Sequence, residues 1–160
     1  MAVSAVNGVV NYLLTTFATA AAAVDPLAIV AESRSQVTDA ATIVLVGRGS
    51  LTEELAVSYE LDWPRVGRQP PAMEETFTVH CVIWCQDLAV EDAGPVRMRA
   101  WNVMAGCLDA IRNDITLGGN LTQGRVGIGE KVEHTSTVDT LAGLGRTATI
   151  TFGVLCVNIW

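Results

Sequence analysis

Two long segments of alternating character constrain this chain more than anything else in it. Glu74 to Asp87 reads EETFTVHCVIWCQD, and Gly145 to Trp160 reads GRTATITFGVLCVNIW. In an extended strand successive side chains point to opposite faces. Phe77, Val79, Cys81, Ile83 and Cys85 therefore share one face of the first segment, and Ile150, Phe152, Val154 and Cys156 share one face of the second. Both demand a sheet with a buried side. Their other faces change character along the strand: Thr78 and His80 give way to Val82 and Trp84, and Thr147, Thr149 and Thr151 give way to Leu155, Val157 and Ile159. A face that turns apolar partway along needs partial cover, from a helix of the same chain or from another subunit. Val82, Trp84, Leu155, Val157 and Ile159 are accordingly the candidate interface residues.

The remaining elements fall around these two strands. Residues 1 to 24 carry no charged side chain, which raises a signal peptide or a membrane span as a question. The segment lacks a basic start, and Ser4, Asn7, Asn11 and Thr15 recur on one side of a helix opposite Val6, Val10, Leu13 and Phe17, so an amphipathic helix over about Val3 to Ala23 is expected. Asp25-Pro26 stops it. Residues 25 to 41 read as a connection, Thr42 to Gly47 (TIVLVG) and Leu55 to Trp63 (LAVSYELDW) as strands, and Pro64 to Glu74 as a proline-rich loop. After the acidic loop at Asp87 to Gly94, Pro95 opens a helix that runs to about Asn113, with Trp101, Met104, Leu108 and Ile111 on one face. Leu117 to Gly119 (LGG) ends that region, and Arg125 to Thr137 forms an interrupted strand. The order is a helix, three strands, a helix and two strands. Such an order predicts an α+β fold, a largely antiparallel β-sheet of four to five strands packed with two main helices, in a single domain over residues 1–160.

Chemistry-bearing residues do not converge. His80 points away from Cys81 and Cys85, and those two cysteines lie roughly 13 Å apart along a strand at about 3.3 Å per residue, too far for one metal or one disulfide. The four cysteines, Cys81, Cys85, Cys107 and Cys156, read as buried reduced thiols. His134 stands beside Glu130, Glu133 and Ser136, but neighbours in sequence do not make a triad, and no G-x-S-x-G elbow marks a strained serine. The glycines at Gly47 to Ser50 and Gly124 to Glu130 lack the endings of a phosphate loop. The pairs Glu53-Glu54, Glu74-Glu75 and Glu91-Asp92 read as charges that keep edges soluble. Arg65 and Arg68 stand in the proline-rich loop, where they would face an acidic partner, a DNA backbone or solvent. No catalytic residue, metal ligand or cofactor is assigned. Of the 160 residues 50% are apolar and 17% charged, so much of the surface is weakly polar and suited to partners. The 10 basic residues against 17 acidic ones give a formal charge of -7, which opposes nucleic-acid binding as the main role.

The uncharged first helix followed by Asp-Pro, the loop at Leu61 to Gly67, the EETFTVHCVIW strand, the helix opening PVRMRAW, the segment DITLGG at Asp114 to Gly119 and the threonine-alternating last strand together cover most of the chain. In this arrangement the chain resembles the tail-terminator (tail completion) proteins of long-tailed bacteriophages, particularly those of phages and prophages of actinobacteria. The resemblance implies a structural virion protein with no catalytic residues. Its subunits would form a homo-oligomeric, hexameric ring on the head-proximal end of the tail tube, assembled in the host cytoplasm and located in the virion tail. The ring would touch the tail-tube protein and the head connector, with DNA passing its lumen and no membrane involved. The alternatives are another neck or head-tail connector protein, a small metal-dependent hydrolase using His80, His134 and the cysteines, and a small-ligand or peptide-binding module.

Overall fold

The computed structural model describes residues 4–32, 40–47, 57–62, 74–88, 92–122, 125–128, 133–139 and 145–159. Among these, the elements run α1 (Val6–Val24), β1 (Ile29–Ala31), β2 (Thr42–Val46), β3 (Val57–Asp62), β4 (Glu74–Asp87), α2 (Gly94–Asn113), β5 (Arg125–Ile128), β6 (Glu133–Asp139) and β7 (Gly145–Ile159). The fold is α+β, with two helices and one sheet, as the sequence predicts.

The strand count differs from the expected four to five: among the described residues the sheet has seven. Two long strands, β4 and β7, pair antiparallel over their whole length and form its spine. Short strands then share each flank end to end. On one side β2 covers Cys81 to Cys85 and β3 covers Glu74 to Val79, while on the other β6 covers Gly145 to Thr151 and β5 covers Val154 to Val157. The sheet is thus five strands wide at one end (β1, β2, β4, β7, β6) and four at the other (β3, β4, β7, β5). The extra strands come from two places. Ile29–Ala31, read as part of a connection, pairs parallel with β2, and the interrupted strand at Arg125 to Thr137 separates into β5 and β6. A three-residue strand is too short to show periodicity, which is why the sequence hides it.

Both helices cover one face of this sheet. α1 buries Val9, Val10, Leu13, Phe17 and Ala21 and leaves Asn7, Asn11 and Thr15 in solvent, as its polar stripe requires. It ends at Asp25, whose backbone is extended at φ -138, ψ 106 before Pro26. The Asp25 carboxylate then ties the exit down, accepting from the Thr42 hydroxyl at 2.6 Å and the Leu27 N–H at 3.0 Å. α2 carries Pro95 in its first turn, where the missing N–H costs nothing. Its buried stripe is Val96, Ala100, Val103, Met104, Cys107 and Ile111. Trp101, expected on that face, stands exposed at the rim, with its ring 5.7 Å from that of His134. The inward residues of β4 and β7 complete the core, and the rings of Phe17 and Phe152 lie 6.2 Å apart within it. None of the described helices is long and apolar enough to cross a membrane.

Candidate functional site

The outer face of the β4–β7 spine, away from the helices, is where the candidate interface residues fall. Antiparallel pairing sets the polar end of each strand beside the apolar end of the other. Thr151 and Thr149 lie opposite Val82 and Trp84, and Thr78 and Thr76 lie opposite Leu155 and Val157. One half-apolar face was expected. The structure instead divides the five residues between two patches at opposite ends of the spine.

The first patch is closed by the chain itself. β2 flanks β4 here, with Ile43 opposite Trp84 and Leu45 opposite Val82. Ala31, Ile43, Leu45 and Val82 form a second buried cluster, against which Ile29, Ala40 and half-buried Trp84 pack. Val82 is fully buried and presents no surface to a neighbour, which removes it from the interface set. Trp84 belongs to the same cluster, so its apolar character has an explanation within one subunit.

The second patch is open. Leu155 is 37% exposed, and Val157 and Ile159 are partly so. Beside Leu155, on β5, stands Gly127, where an added Cβ would meet nothing within 4 Å. At the far end of the patch exposed Glu74 lies opposite Ile159. Leu155, Val157 and Ile159 therefore remain as the candidate interface, with open space above Gly127 beside Leu155. Arg65 and Arg68 lie outside the described residues, as do Glu130 and the side chain of Ser136.

The residues with chemical potential sit apart from this patch and from one another. His80 is on the outer face opposite Gly153, and His134 is on the inner face opposite Ile150. The His134 Nε2 atom is buried beneath Trp101 without a hydrogen-bond partner among the described residues. All four cysteines are free and buried. Burial pushes the Cys85 thiol up to about 11, with the Thr42 hydroxyl pulling the other way, and pushes Cys107 and Cys156 up to about 12, the latter with help from the nearby Glu75 charge. Cys81 is raised further, again chiefly by burial. Such thiols stay protonated near neutral pH, which makes them poor nucleophiles. Among the described residues no group of three or more His, Cys, Asp or Glu side chains could hold a metal ion.

No known family model matches the chain, and no curated protein matches it either. The geometry of the two patches is what a functional reading has to start from.

Two structural carboxylates escaped the reading of the sequence. Glu75, taken there for a solubilising charge, is fully buried; it accepts from the Ser4 hydroxyl at 2.5 Å and from the Ala5 N–H at 3.2 Å. It caps α1 from a strand seventy residues away. Its parity with Phe77 and Val79 was the available signal, since a carboxylate in phase with a core face needs a buried partner. The second is Asp114, at the start of DITLGG. One of its oxygens accepts from the Thr116 N–H at 3.0 Å and the Thr116 hydroxyl at 2.7 Å, and the other accepts from the Gly118 N–H at 2.8 Å. Leu117, Gly118 and Gly119 all take left-handed φ (48, 73 and 77), a conformation that the two glycines make accessible. The turn buries Leu117 and seats Gly118 under the Tyr12 ring of α1, which a Cβ would approach to 2.7 Å.

These hydrogen bonds, led by the Thr116 hydroxyl and the Gly118 N–H, lower the Asp114 carboxyl to about 2. A depressed carboxyl contributes stability above its unfolded value of about 3.9, and loses it as pH falls through the folded value. Asp114→Asn should therefore be less stable than the parent at pH 6, and the gap should close between about pH 4 and pH 2. Urea midpoints measured across that range test this; a gap independent of pH would contradict the assignment.

Proposed function

We propose that the protein is a structural subunit of a phage tail, forming a ring at the head-proximal end of the tail tube that stops tube growth and joins the tail to the head connector. The observation that carries this reading is the open patch at Leu155, Val157 and Ile159. Apolar residues are left uncovered on a central strand whose other apolar residues are all satisfied within the chain, and such a surface suits a partner subunit. The likeness to tail-terminator proteins, in which the DITLGG segment takes part and here packs Gly118 against Tyr12 of α1, supports it further. The hydrolase reading gains nothing from the geometry, because the histidines occupy opposite faces and the thiols are held neutral.

Purified protein should run as a ring-sized oligomer by size exclusion with light scattering and show rings in negative stain. Mixed with assembled tail tubes, it should decorate one end. A strict monomer that leaves tube ends bare would overturn the proposal.

A further inference from the structure

The first turn of α1 contains a chemically labile pair, Asn7-Gly8. Of Asn7, Asn11, Asn102, Asn113, Asn120 and Asn158, only Asn7 is followed by glycine. Asparagine is a thermolabile residue, and a following glycine removes the side chain that otherwise obstructs attack on its amide. Asn7 is exposed, and it lies in the turn whose backbone N–H groups have no acceptor in a preceding turn of helix. Packing imposes the pair. A Cβ at Gly8 would run into the Asn120 side chain, which donates from Nδ2 to the Leu117 carbonyl and so is held in the turn that Asp114 organises.

We propose that Asn7 is a deamidation site whose rate is set by the Glu75 cap. The Gly8 backbone nitrogen gives up its proton and attacks Asn7 Cγ, the amide nitrogen leaves as ammonia, and a five-membered imide closes. Water then opens the imide at either carbonyl, leaving aspartate or isoaspartate; no oxidant or reductant takes part. Ring closure requires the Asn7-Gly8 backbone to leave helical angles, so the folded first turn protects the pair and its local opening exposes it. The side-chain ties on that turn, among the described residues, end on one carboxylate. The Ala5 N–H donates to Glu75 directly, while the Val6 N–H donates to the Ser4 hydroxyl at 3.3 Å, which donates in turn to Glu75. Ala5 at the cap position supplies no oxygen, and the first turn has no acidic residue of its own. A strand distant in the chain therefore sets how long Asn7 survives. The aspartate product puts a carboxylate at the positive end of the helix dipole, whereas isoaspartate lengthens the main chain by one carbon and disrupts the helical spacing.

The full chain, held for days in warm, mildly alkaline buffer and read by peptide mass spectrometry, should gain one mass unit at Asn7 before any other asparagine. Glu75→Ala, checked for folding by circular dichroism, should deamidate there roughly tenfold faster or more, because the opened turn is populated more often. Ser4→Ala removes one of the ties and should fall between the two; it carries the test if Glu75→Ala does not fold. The parent in guanidinium, at a concentration that matches the stability of the cap variant, controls for global unfolding and should stay slower than that variant. Equal rates in the parent and the cap variants would overturn the gate, and so would equal acceleration in the matched parent. Modification spread evenly over the asparagines, or none at Asn7 in a cap variant, would overturn the site itself.

Discussion

Replacing Glu75 by alanine is expected to cost about 3 kcal/mol of stability, from a lost helix cap and a buried donor left without a partner. The Ala5 N–H and the Ser4 hydroxyl both end on this carboxylate, and α1 has no side-chain cap of its own: Ala5 holds the cap position and offers no oxygen. Removing the acceptor strands the first turn of a helix whose entire apolar stripe lies on the sheet. A negative charge at this end of α1 also meets the positive end of the helix dipole. Glu75→Gln keeps one acceptor oxygen and loses the charge, so it should cost only about 1 kcal/mol. Urea unfolding at pH 7 measures both, and hydrogen exchange should show the first turn of α1 opening in the alanine variant. Equal stability of Glu75→Ala and the parent would mean that the cap contributes nothing.

Gly145→Ala is expected to be at least as damaging, at about 3 kcal/mol or more, for a different reason. Gly145 opens β7 at φ 65, and a Cβ there would run into the Asp87 carbonyl oxygen and come within 2.7 Å of the Leu88 Cα. Those are backbone atoms at the end of β4, fixed by the pairing of Asp87 with Arg146, and they cannot swing aside as a flexible side chain would. Gly119→Ala isolates the two contributions. Gly119 has a similar φ of 77 but nothing within 4 Å of its added Cβ, so it bears the left-handed strain alone, about 1 kcal/mol. Thermal or urea unfolding of the two variants side by side should separate them clearly; identical losses would show that the close approach at Asp87 relaxes at no cost.

Much of the architecture could be read from residue order. The spine strands, both helices, the Asp-Pro stop and the Pro95 start follow from rules that act within a few residues, namely period two, period 3.6 and the geometry imposed by proline. The core faces of β4 and β7 and the polar side of α1 were legible for the same reason. Short elements were not: β1 has three residues and no pattern, and the break between β5 and β6 depends on how each half pairs with β7. On α2 the buried stripe sits partway round from the expected one, on the side of Ala100 and Cys107, and Trp101 lies at the rim against His134.

The candidate site shows the division most sharply. The sequence by itself determined that Val82, Trp84, Leu155, Val157 and Ile159 form the apolar parts of two outward faces, since alternation assigns each residue to a side whatever the strand pairs with. Only the tertiary structure decided which of them are open to a partner. Register is a relation between segments distant in the chain. Here it is antiparallel, which sends the two apolar ends to opposite ends of the spine. β2 then closes over Val82 and Trp84, while β5 sets Gly127 beside Leu155 and leaves that residue partly exposed.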